Sequence, residues 1–184
     1  KGEIPSILHL KEGDEIMVQA VKDPAGSKGV RLTTNVSLAA RYVVFMPTID
    51  FLGVSRRITN EKTREKLTQI AESLKPEGQG LIIRTAAEHA SKSEIKKEVA
   101  YLIEQYKNVL QDFGAKPTPS CIYEEGNIAV RLIRDVYNSD ISKFIVADKE
   151  TYEKVLEYAK KSDNGLKRKL KLYKKKTKAD ILYF

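Results

Sequence analysis

LTTNVSLAARYVVFMP (residues 32–47), GVSRRIT (53–59) and GLIIRTAA (80–87) are three blocks of one stretch, and their reading decides the fold. Tyr42–Met46 is rich in β-branched and aromatic residues and ends at Pro47, which cannot donate to a strand ladder. GVSRRIT reads as a turn carrying two adjacent arginines, Arg56 and Arg57. Asn60 then offers an N-cap acceptor for a helix over Glu61–Leu74, in which Leu67, Ile70, Ala71 and Leu74 recur at helical spacing. Lys75-Pro76-Glu77-Gly78 stops that helix, and Gly80–Thr85 reads as a second, buried strand. Arg84 and Thr85 thus arrive together at a strand end. A guanidinium beside a hydroxyl, with Arg56 and Arg57 nearby in sequence, suits a small anionic group such as a phosphate. Taken alone, a strand-terminal Arg-Thr is common and more often serves a local hydrogen bond.

Upstream, residues 1–34 read as short strands and turns, with an alternating run over Glu15–Val21 and a turn signal at Asp23-Pro24-Ala25-Gly26. Ser37-Leu38-Ala39-Ala40 reads as a short turn. Downstream, Ser91 with Glu94 three residues later is a capping-box signature. It opens a long helix with Ile95, Val99, Leu102, Tyr106, Val109 and Phe113 on one stripe, closed by Gly114. From about Pro117 the elements alternate: Asn127 caps a helix through Val136, Lys143–Ala147 is a short strand, Asp148 caps a helix to about Lys161, and Lys169–Tyr173 is another strand.

Composition excludes several classes. With 41% hydrophobic and 32% charged residues the chain is globular, neither disordered nor membrane-embedded, and no apolar run approaches the roughly 18 residues that span a bilayer. The opening KGEIPSILHL lacks the pattern of a signal peptide. Cys121 is alone, which excludes a disulfide framework and a cysteine-based zinc site, and a reducing cytoplasm fits best. His9 and His89 have no metal-ligand spacing. The net charge of +8 is local: residues 165–184 hold eight Lys or Arg against Asp180, leaving about +1 for the rest. The segment Lys167–Lys178 is either a solvated surface or a nucleic-acid contact.

LTT-x-x-SLA, GVSRRI and GLIIRTA in this order, followed by PTPSCIYEEGNIAVRLIRDVY and DISKFIVAD, resemble the ribonuclease E/G family of bacterial endoribonucleases. The resemblance covers nearly the whole chain and is strongest over residues 28–85 and 118–148. It implies a mixed α+β fold in three parts: the C-terminal half of an S1 (OB-type) domain over 1–34, an α/β 5′-sensor region over 35–126, and part of a ribonuclease-H-like α/β subdomain over 127–184. A complete S1 barrel needs strands upstream of Lys1, so the chain is expected to begin inside a domain.

By the same resemblance the full-length protein is an endoribonuclease of RNA processing and decay, cutting single-stranded RNA with a preference for a 5′-monophosphate. Arg84 and Thr85 match the residues that grip the terminal phosphate, Val44 a backbone contact beside them, Arg56 and Arg57 secondary contributors. Lys28 matches a lysine that contacts RNA near the cleavage site. Ala40 stands where glycine is frequent, and its methyl is expected to crowd a backbone approach. The full-length enzyme is expected to be cytoplasmic and homo-oligomeric, with Mg²⁺ as cofactor. None of the aspartates here forms a strand-borne D-x-D or D-x-N set. The chain is therefore expected to hold no catalytic residue and no metal ligand, these lying beyond Phe184, and to be inactive alone. Three rivals remain: an RNA-binding module without a nuclease, an enzyme holding a phosphorylated metabolite at Arg84 and Thr85, and an assembly module docking a protein through the basic segment. The second would need an acid, base or metal cluster that the sequence does not display.

Overall fold

Residues 15–33 carry enough β-branched residues for pairing but too few for a core of their own. In the computed structural model, which describes residues 10–137, 141–162 and 164–173, they form one antiparallel pair, β1 (Gln19–Lys22) and β2 (Arg31–Thr33). A turn at Gly26-Ser27, with Gly26 at φ 59°, lies between them. The alternation expected from Glu15 onward becomes strand only from Gln19.

The second sheet follows from the three quoted blocks. β3 (Leu38–Ala39), β4 (Val43–Met46), β5 (Leu52–Val54) and β6 (Gly80–Ile83) lie in the order β3-β4-β6-β5. β4 is antiparallel to both its neighbours, whereas β5 and β6 are parallel. Parallel neighbours need a crossover of a dozen or more residues, and α1 (Glu61–Leu74, 14 residues) supplies it. The Asn60 side chain caps α1 by accepting from the Thr63 N–H at 3.0 Å. The Ser91–Glu94 capping box opens α2 (Lys92–Ala115). α1 packs on β5 and β6, α2 on β3 and β4, and the two helices touch. Val43, Phe45, Ile58, Leu81, Ile83 and Ile95 are fully enclosed in that layer, while Val44 and Met46, on the other face of β4, are half-buried.

Four expectations are corrected. Ser37–Ala40 is not a turn: Leu38 pairs with Phe45 and Ala39 with Val44. β6 stops at Ile83, because Arg84 and Thr85 open a single 3-10 turn in which Ala87 and Glu88 donate back to their carbonyls at 3.0 and 3.1 Å. β5 is a strand where the sequence shows only a turn, since three residues around Gly53 display no period. Gly114 lies inside α2, which ends one residue later where the Lys116 N–H donates to Asp112 O at 2.9 Å.

Gly80 marks a close approach. A Cβ there would stand 2.7 Å from Ile49 O and 3.1 Å from Phe51 O, backbone atoms that cannot swing aside. Gly80→Ala is predicted to destabilise this unit by about 1–3 kcal/mol in chemical denaturation. An unchanged midpoint would show that the strand end shifts freely.

The chain divides into two compact units, Lys1–Tyr123 and Glu124–Phe184. In the second, Asn127 caps α3 (Ile128–Val136), and β7 (Phe144–Val146) pairs in parallel with β8 (Leu170–Leu172). α4 (Lys149–Ser162) and α5 (Asn164–Lys169) connect those strands. Asp148 caps α4 by accepting from the Thr151 N–H at 2.8 Å. Ile133, Val155, Ala159, Leu166 and Leu170 form the core. α5 escapes sequence reading because the run Asn164–Lys169 holds one apolar side chain, the buried Leu166, among basic residues. Lys167, Arg168 and Lys171 are exposed, and Lys169 Nζ lies 5.3 Å from the centre of the Tyr137 ring. His9 and Lys174–Lys178 lie outside the described residues.

Candidate functional site

Because β5 and β6 are parallel, their carboxyl ends share one edge of the sheet, the position outside which open α/β sheets bind ligands. Two loops leave that edge, one at Ser55 and one at Arg84. The β3–β4 hairpin turns at the same edge, since β4 runs antiparallel to β6.

Ser55 joins the two loops. Its N–H donates to Ile83 O at 2.9 Å, and its hydroxyl lies 2.8 Å from the Thr85 hydroxyl. The Ile58 N–H donates to Ser55 O at 3.1 Å, which closes a four-residue turn with Arg56 and Arg57 at its centre. Both arginines are exposed. Ile58, fully buried, pins the far end of the turn, and Arg64 of α1 donates through Nη1 to Ser55 O at 2.9 Å and to Ile58 O at 3.5 Å.

Arg84 is set against the hairpin. Its N–H donates to Tyr42 O at 2.8 Å, and its Nη1 donates to Ala40 O at 2.7 Å, which fixes the guanidinium plane. Arg84 is half-buried, whereas Thr85 is exposed. The Ala40 N–H donates across the turn to Val43 O at 2.8 Å. The Tyr42 N–H, which lies outside the strand ladder, donates to Glu98 Oε2 of α2 at 2.7 Å. Burial pushes the Glu98 carboxyl above its ordinary range, against the opposing pull of backbone donors at Tyr42, Arg41 and Val43 and of the Arg41 charge.

The structure therefore brings together Arg84, Thr85 and the Arg56-Arg57 turn at one sheet edge. Val44 is placed differently. It sits within β4, in register with Ala39 on one side and Ile82 on the other. An anion contact from its backbone would compete with that ladder. Ala40 packs into the core beneath the sheet, so its methyl is not directed at an approaching ligand. Lys28 is exposed on the turn of the separate β1–β2 sheet, where its N–H donates to Ala25 O at 3.1 Å.

Sequence reading misses Ser55, Arg64 and Glu98. Ser55 has a signal, its position directly before Arg56-Arg57. Arg64 and Glu98 have none, because a charged residue on an amphipathic helix ordinarily faces water.

Guanidinium groups can grip the oxygens of a tetrahedral anion in pairs, and hydroxyls can donate to the same oxygens. The edge is thus suited to a phosphate, with Arg84 and Thr85 beside it and the Arg56-Arg57 turn adding positive potential. Among the described residues no group of three or more His, Cys, Asp or Glu side chains is placed to hold a metal ion. Among the same residues no helix is long and apolar enough to cross a membrane.

Comparison with known proteins adds independent information. The model of the Ribonuclease E/G family matches residues 37–183. Ribonuclease G of Escherichia coli (strain K12) is 37% identical over 164 residues, covering 89% of this chain and 34% of that protein. Ribonuclease G of Haemophilus influenzae is 38% identical over 172 residues, covering 93% and 35%. Ribonuclease E of Nostoc sp. (strain PCC 7120) is 32% identical over 156 residues, covering 85% and 23%. The chain thus spans about a third of the length of the ribonuclease G relatives.

Proposed function

The chain belongs to the ribonuclease E/G family, and from that membership we propose that it is the part of an endoribonuclease that binds single-stranded RNA and reads a 5′-monophosphate. One observation carries the reading. The Thr85 hydroxyl, paired with Ser55, stands next in sequence to a guanidinium held in a fixed plane, beside a turn presenting two further arginines. Arg84 and Thr85 bind the terminal phosphate, Arg56 and Arg57 raise the local anion concentration, and a 5′-hydroxyl end gives these groups no anion to pair. Lys28 contacts the RNA body from the S1-like segment. The full-length enzyme is cytoplasmic and homo-oligomeric, acts in RNA processing and decay, and uses Mg²⁺ held by carboxylates outside this chain.

The reading is tested by equilibrium binding of the 184-residue chain to one short oligoribonucleotide in two forms, 5′-phosphorylated and 5′-hydroxylated. The phosphorylated form is expected to bind at least tenfold more tightly, about 1.4 kcal/mol. Equal affinities would sink the proposal. In the same titrations, replacing Lys174, Lys175 and Lys176 by Gln should flatten the slope of log affinity against log salt by about 0.7 for each phosphate left unneutralised. An unchanged slope would assign those lysines to a solvated surface.

A further inference from the structure

The Tyr42 peptide is held at both ends: its N–H donates to Glu98 Oε2 at 2.7 Å, and its carbonyl accepts from the Arg84 N–H at 2.8 Å. Two residues earlier, Ala40 O accepts from Arg84 Nη1. These two bonds tie Arg84 to the 40–43 hairpin, and α2 contributes the Glu98 carboxylate to that hairpin beside its apolar packing. We propose that Glu98 is a positioning residue of the 5′-phosphate site, holding the hairpin so that the Arg84 guanidinium is presented in one orientation. The proposal rests on the reading of Arg84 and Thr85 as the phosphate reader.

The physical case has three parts. Glu98 lies between Ile95, Val99 and Leu102, which are locked in the core, so its carboxylate is carried by a rigid support. The Tyr42 N–H donates to Glu98, so removing the carboxylate takes that acceptor from a part-buried donor. A negative charge near an anion site opposes binding, and its burial is costly, so geometry rather than charge is what Glu98 contributes.

The test is the ratio of kcat/KM for 5′-monophosphorylated over 5′-hydroxylated RNA in the full-length enzyme. Glu98→Leu, which removes the acceptor, is expected to lower this ratio about tenfold. Glu98→Gln, which keeps an acceptor and drops the charge, is expected to preserve or raise it. A merely structural role would slow both substrates together and leave the ratio alone. Should the Leu variant not fold, Glu98→Asp retracts the carboxylate by one methylene and is expected to lower the ratio, with Gln above Asp. An unchanged ratio in the Leu variant, or in the Asp variant where Leu does not fold, would overturn the proposal; so would an equal loss in the Gln variant. Arg84→Gln, measured alongside, separates the two ideas. If it collapses the ratio while the Glu98 variants do not, only the positioning role fails. If it too leaves the ratio unchanged, the phosphate reading fails and takes this inference with it.

Discussion

Arg84→Gln in the full-length enzyme is expected to slow cleavage of 5′-monophosphorylated RNA by about ten- to a hundredfold while largely sparing 5′-hydroxylated RNA. The magnitude follows from one missing charge-assisted hydrogen-bonding group, roughly 1.5–3 kcal/mol at about 1.4 kcal/mol per tenfold. Glutamine keeps a polar side chain of similar reach but loses the charge and the planar fork that matches a phosphate. Thr85→Val should act in the same direction, since valine keeps the shape and removes the hydroxyl that sits 2.8 Å from Ser55 Oγ. Ser55→Ala should act more weakly, because it removes only the partner of that hydroxyl. Competition kinetics with the two RNAs in one reaction checks all three variants. Equal slowing of both substrates would mean that these side chains support the fold instead of reading the end.

Phe45→Ala is expected to have the largest effect on stability, a loss of about 3–5 kcal/mol. Phe45 is fully buried, faces Leu38 and Leu81 across the two flanking strands, and meets Tyr106 of α2 edge to face with ring centroids 6.2 Å apart. The cavity would lie at the centre of the layer between sheet and helices. Chemical denaturation of the 184-residue chain measures the effect, and a loss below about 1 kcal/mol would show that α2 collapses onto the sheet. Phe45 lies in the shared core instead of at the phosphate edge, so cleavage of both RNAs should fall together in this variant as the folded fraction drops. That pattern differs from the one expected of Arg84→Gln.

The long elements are legible in the sequence because their signals are local. A cap acceptor, a periodic stripe and a proline stop mark α1 from Glu61 to Leu74, and Asn60 does cap it. Ser91 with Glu94 marks the start of α2 as plainly. The short strands are not legible: Leu38–Ala39 and Leu52–Val54 are held by their partners in β4 and β6 and carry no period of their own. For the site, adjacency in sequence marks Arg84, Thr85, Arg56 and Arg57. The bonds that arrange them cross the fold, from Ser55 to Thr85, from Ala40 to Arg84 and from Tyr42 to Glu98. Partners separated by 30 to 56 residues leave no trace in local spacing. The same holds for Val44, whose position within the ladder, rather than at its end, depends on the register between β3, β4 and β6.

The central claim is that this sheet edge holds a 5′-terminal phosphate, and a crystal structure of the chain with a 5′-phosphorylated diribonucleotide tests it most directly. The account predicts phosphate oxygens about 2.7–3.2 Å from the Arg84 guanidinium and the Thr85 hydroxyl, with the Arg56-Arg57 turn on the solvent side. A terminal phosphate bound instead at the Lys28 turn or along Lys167–Lys171, with Arg84 and Thr85 making no contact to it, would contradict the account.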